Sequence, residues 1–126
     1  VSVLIILAMA LIRLPAEPAF AFDLVQAAPK AATIGDLSAY RAIVVDTLNI
    51  VNKGDLPAAT KRIKDLETAW DNAERTMKPR NPPQWTIVDK AIDVALSNLR
   101  ARQPVQAACA KSLQDLLVAM DAATAA

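Results

Sequence analysis

The residues best placed to do chemistry are carboxylates. Glu67 and Asp71 stand four apart, Glu74 follows three later, and Asp89 and Asp93 are again four apart. Spacings of three and four put side chains on one face of a helix. Donor sets made of oxygen alone suit hard cations such as Ca²⁺, Mg²⁺ or Mn²⁺. Glu67, Asp71, Asp89 and Asp93 are therefore the candidate ligands of a divalent-cation site between two helices. The competing and preferred reading is a solvated, salt-bridged rim, because most such charges are ordinary surface. Like charges at i,i+4 weaken a helix by a few tenths of a kcal/mol, so some compensation is expected. Arg75 can pair with Asp71 and Lys78 with Glu74, whereas Asp89 and Asp93 have no basic residue four places on.

Other chemistries are narrowed by what the chain lacks. It contains no histidine. Ser-His-Asp and Cys-His catalysis, haem ligation by histidine and the Glu-x-x-His pairs of di-iron helical proteins are thereby excluded. A zinc site of His and Cys type cannot be assembled from one cysteine, and there is no glycine-rich phosphate loop. The single Cys109 cannot form an internal disulfide; lying in Ala107-Ala108-Cys109-Ala110, it reads as a small buried hydrophobe. Trp70 and Trp85 fall at apolar positions and read as core anchors, with a ligand pocket as the lesser alternative. Lys61, Arg62 and Lys64 form a basic cluster diluted by Asp65 and Glu67. With 14 basic and 13 acidic residues the net charge is +1, which gives no electrostatic case for nucleic acid or anionic lipid. No cofactor is expected.

These residues must be positioned by helices. Only two glycines occur, alanine is abundant, and nothing alternates with the period of a strand. A first helix is expected from about Asp36 to Lys53, capped by Asp36 and ended at Gly54. Leu37, Val44, Leu48 and Val51 mark its apolar face, with Tyr40 and Ile43 beside it. A second starts near Asp55 with Pro57 in its first turn. Its residues Leu56, Ala59, Ile63, Leu66, Trp70, Ala73 and Met77 alternate steps of three and four, a heptad seam. The run Lys78 to Pro83 breaks the helix, and Asn81 caps a third, whose seam is Trp85, Val88, Ile92, Ala95 and Leu99. Arg100 and Arg102 follow at its C-terminal end, where the helix dipole favours cations. Pro104 opens a fourth helix with Val105, Cys109, Leu113, Leu116, Leu117 and Met120 on one face. Four helices joined by short loops predict an all-α, antiparallel up-down-up-down four-helix bundle over 36–122, with residues 123–126 as a frayed tail.

Upstream, Val1 to Ile12 is an apolar run, and Ala19-Phe20-Ala21 is a small-x-small triplet of the kind signal peptidase cuts. Residues 1–21 therefore read as a secretory signal, with the end of a membrane anchor as the alternative. Residues 22–35, with Pro29 and no periodicity, read as a tether. The expected location is periplasmic or otherwise extracytoplasmic. Contact with a membrane is expected only through the N-terminal segment, if that segment is uncleaved.

The stretch Thr60-Lys-Arg-Ile-Lys-Asp-Leu-Glu-Thr-Ala-Trp-Asp-Asn-Ala-Glu74, followed by Trp85-Thr-Ile-Val-Asp-Lys-Ala-Ile-Asp93, resembles segments of small exported bacterial α-helical proteins of unknown function. The architecture is also similar to the extracytoplasmic input bundles of bacterial sensor kinases and chemoreceptors. The resemblance implies an exported helical module and assigns no functional residue. The expected function is that of a non-enzymatic binding or interaction module, a sensor-input or accessory domain whose partner is a protein or a small ligand. The alternative is a carboxylate-based divalent-cation-binding protein.

Overall fold

The computed structural model describes residues 32–125. The signal or anchor segment 1–21 and the tether as far as residue 31 lie outside the described residues. Among the described residues the structure is all-helical, with four α-helices: α1 (Ser38–Asn52), α2 (Leu56–Met77), α3 (Pro82–Leu99) and α4 (Gln106–Ala125). A single 3-10 turn, Lys78–Arg80, joins α2 to α3. None of the described helices is long and apolar enough to cross a membrane.

Local chemistry sets the boundaries. Asp55 caps α2 by accepting the Ala58 N–H at 3.1 Å, and Asn81 caps α3 by accepting the Gln84 N–H at 3.2 Å. Each cap satisfies one of the N–H groups that a helix start leaves without a partner. Prolines occupy the first turns of both helices, where no N–H is needed. Gly54 turns the chain out of α1 with φ +85, in the left-handed region that glycine enters without strain. At the start of α1 the expectation shifts by two residues. Asp36 does not open the helix itself; its carboxylate accepts the Ser38 N–H at 2.9 Å, and Leu37 occupies the cap position.

Three further expectations are corrected. Ile34, placed in the tether, is fully buried, and Leu37 joins it in the core. Its apolar side chain gains about 1.5–3 kcal/mol on leaving water, which outweighs the lack of regular structure around it. Val105, expected on the buried face of the fourth helix, is 61% exposed and precedes Gln106, where α4 begins. The helix continues into the expected tail: α4 runs to Ala125 and Ala123 is fully buried.

The helices pack as sequence neighbours, α1 also closing against α4. Consecutive α2 and α3 make the fewest close backbone approaches of these pairs. Interaxial distance follows the side chains at the contact, and the contact here includes the two largest side chains of the protein. One core runs through all four helices, built on Val44 and Val51, Ile63, Leu66 and Trp70, Val88 and Ile92, and Leu113, Leu116 and Met120. Its polar members are self-contained. Thr47, buried on α1, donates to the Ile43 carbonyl at 2.7 Å, and Ser112 on α4 donates to the Cys109 carbonyl at 3.0 Å. Among the described residues no buried side-chain polar atom lacks a partner.

Candidate functional site

The aromatic side chains and one of the candidate carboxylates come together between α2 and α3. The heptad seam aims Trp70 inward from α2, and the first turn of α3 aims Trp85 toward it. The two indoles stack with centroids 3.9 Å apart and planes 9° from parallel. Tyr40, from the first turn of α1, meets Trp70 edge-on at 5.6 Å and 89°. Both arrangements satisfy the quadrupoles of the rings. Trp70 is 1% exposed and Trp85 3%, so neither offers a face to a ligand. The indole N–H of Trp70 donates to Asp89 Oδ1 at 3.1 Å, which gives a buried donor a charged acceptor at the edge of the core.

That bond defines what Asp89 does. Of the four carboxylates with metal-ligand potential, Asp89 holds an indole and Glu67 holds Arg100 through two parallel hydrogen bonds of 3.0 and 3.1 Å. The Arg100 guanidinium keeps the Glu67 carboxyl below the usual carboxylate range, against a smaller opposing effect of burial. Asp71 and Asp93 are exposed and form no ion pair among the described residues. No three acidic or cysteine side chains among the described residues gather closely enough to hold a metal ion. The expected Glu74–Lys78 pair is present at 2.9 Å, and it raises the Lys78 ammonium pKa, with a smaller contribution from Asp89. The expected Asp71–Arg75 pair is not among the ion pairs of the described residues.

The remaining charged groups tie helices together. Arg62, the centre of the basic cluster, bonds Asp65 on its own helix at 2.8 Å and Asp46 on α1 at 2.7 Å. Both bonds raise its pKa, the one to Asp65 most. Arg41 binds Asp121 at 2.8 Å, joining α1 to α4, and holds the Asp121 carboxyl below its ordinary value. At the other end Gln106 donates to the Val51 carbonyl at 2.8 Å. Cys109 is fully buried, and burial pushes its thiol pKa up, away from the reactive thiolate.

Concavities are slight. One open groove follows Ser38, Arg41, Ala42, Val45, Asp46 and Asn49 along a single face of α1, and a smaller cleft lies beside Leu37, Met120 and Thr124. Neither encloses a small molecule with described residues on all sides. Apolar exposure is found instead on the outer faces: Ile87 and Val94, two turns apart on α3, are 52% and 54% exposed, and Val118 on α4 is 68% exposed.

No protein-family model, no curated protein and no solved structure matches the chain at a significant level.

Two features escaped sequence reasoning. The face-to-face contact of the tryptophans was hidden because the two residues belong to different helices. The Arg100–Glu67 clamp was hidden because Arg100 already had a local explanation at a helix end. A hairpin register through the Lys78–Arg80 turn would have shown Asp89 level with Trp70.

Proposed function

We propose that this chain is a non-enzymatic, extracytoplasmic interaction module, an antiparallel up-down-up-down four-helix bundle serving as a sensor-input or accessory domain. The antiparallel order is supported by paired positions. Thr60 bonds the Leu99 carbonyl and Trp70 bonds Asp89, so ten residues forward along α2 correspond to ten back along α3. Arg41 near the start of α1 meets Asp121 near the end of α4 in the same sense. Export is supported by the apolar run and the Ala19-Phe20-Ala21 triplet.

The observation that carries the functional reading is the use made of the charged side chains. The groups most capable of chemistry, Glu67, Asp89, Arg62 and Arg41, are spent as ties between helices. What is left free is surface, and its exposed large apolar side chains among the described residues are Ile87 and Val94 two turns apart on α3, Val118 on α4 and Val105 just before α4. Exposed apolar side chains such as Ile87 and Val94, outside any enclosed cavity, suit a protein partner presenting an apolar face of its own better than a small ligand, which needs enclosure. Cation binding is the alternative class, and no observation favours it: two of its four ligands are engaged elsewhere.

The test is a photocrosslinking amino acid placed at Val94, with one at the exposed Lys61 on α2 as the comparison, in intact cells. A discrete adduct from position 94 and none from position 61 is the expected result. No adduct at 94, or the same adduct from both positions, contradicts the reading.

A further inference from the structure

The segment 32–37 has no regular structure, yet it is fastened at three points. Ile34 and Leu37 are buried in the core. The Ala32 carbonyl accepts a hydrogen bond from Asn81 Nδ2 at 3.0 Å. Gly35 sits at φ +120, a conformation essentially reserved for glycine, and passes so close to the Arg80 guanidinium that a Cβ there would lie 2.7 Å from Nη1. The segment is a strap across the end of the helices where α2 turns into α3.

Asn81 serves two masters. Its side-chain oxygen caps α3 through the Gln84 N–H, while its side-chain nitrogen holds the strap. Four residues on, Trp85 stacks on Trp70, and Trp70 touches Tyr40. Tyr40 lies in the first turn of α1, which the strap leads into directly. The contacts thus form a closed circuit from strap to Asn81, to the start of α3, to the stacked indoles, to the start of α1 and back to the strap. In sequence, residues 1–31 join the helices only through this strap.

We propose that the strap is a conformational coupler: a change in the N-terminal segment that lifts residues 32–37 is transmitted through Asn81 to the stacked tryptophans. The coupling needs no partner on α3, so it stands apart from the surface proposed above. It works because one amide side chain cannot keep its second bond when the strap leaves, and because both aromatic neighbours of Trp70 sit in the helix starts that the strap borders.

The side chain of Asn81 makes a clean test possible. Asn81→Asp keeps the oxygen that caps α3, and aspartate caps as well as asparagine. It removes the donor to Ala32. Gly35→Ala strains the strap without touching Asn81. In the full chain, both variants should speed hydrogen exchange where the strap enters α1, at the Ser38 and Arg41 amides that Asp36 and Leu37 of the strap accept from, and for Asn81→Asp by roughly three- to tenfold, as loss of one neutral hydrogen bond implies. Exchange in the first turn of α3 should rise as well, and tryptophan emission should shift to longer wavelength while far-UV circular dichroism stays unchanged. Faster exchange at Ser38 and Arg41 with unchanged emission and an unchanged α3 start would overturn the coupling. Unaltered exchange at Ser38 and Arg41 would show that these contacts do not hold the strap. Loss of all four helices together would show that the strap is part of the fold's cooperative unit and not a device within it.

Discussion

Replacing Trp70 with alanine removes the side chain on which the α2–α3 contact depends. The residue is 1% exposed, stacked on Trp85 at 3.9 Å, met edge-on by Tyr40, and hydrogen-bonded to Asp89. A buried Trp→Ala change costs about 3–5 kcal/mol from lost burial and the cavity left behind. Each aromatic pair adds about 0.5–1.5 kcal/mol beyond its area, and the stranded Asp89 regains water at the rim. The expected loss therefore falls at the upper end, about 4–5 kcal/mol. A domain of this size has about 5–15 kcal/mol in all, so the variant should keep its helices only in mild conditions. Urea denaturation followed by circular dichroism, with the slope compared to the parent, reads the difference directly. Trp70→Phe provides an internal scale: it keeps an aromatic ring and deletes the N–H, and it should cost about 1.5–3 kcal/mol, the usual value of a hydrogen bond to a charged group. A loss below about 1 kcal/mol for Trp70→Ala would refute the core assignment of this residue.

Other expectations concern charge and reactivity. Glu67, Asp121 and Asp36 all have carboxyl pKa values lowered in the folded protein, by Arg100, by Arg41 and by the Ser38 N–H respectively. A lowered folded-state pKa favours the folded state above the unfolded-state value, near 4, and that advantage is lost as pH falls through the folded value. The melting temperature should thus be flat near neutrality and fall below about pH 4, and a melting temperature that rises on acidification would contradict the sign. Native Cys109 should resist an aromatic disulfide reagent and react fully in denaturant, since it is fully buried with a raised thiol pKa; prompt native labelling would contradict the burial. Ca²⁺ or Mn²⁺ at millimolar concentration should not raise the melting temperature, because Glu67 and Asp89 are engaged by Arg100 and Trp70; a saturable, metal-selective rise lost in Asp71→Asn/Asp93→Asn would restore the cation reading.

The legible parts of the fold were those with a repeating period. Ala59, Ile63, Leu66, Trp70, Ala73 and Met77 all lie buried on α2 as the three-four spacing requires, with Leu56 at the head of that seam only partly buried, and Trp85, Val88, Ile92, Ala95 and Leu99 lie buried on α3. The less legible parts had no period to read. On α1 Val44 and Val51 are buried as expected, but Thr47 is buried with them while Leu48 beside it is only half-buried, because a threonine that bonds its own helix can enter a core that its composition argues against. Ile34 stood among alanine, glycine and threonine, with nothing to mark it as core. The candidate site was legible as residue types and not as partners. The acidic strip was visible from spacing, but its engagement by Trp70 and Arg100 depends on how α2 and α3 are set against each other, and local spacing carries no such information.

Export of the chain underlies its proposed role as an extracytoplasmic module, and the intact mass of the protein recovered from fractionated cells reads export directly. The expected species lies outside the cytoplasm and begins at Phe22, or is uncleaved and held in the membrane by its apolar run. Recovery of the intact chain as soluble cytoplasmic protein would contradict export.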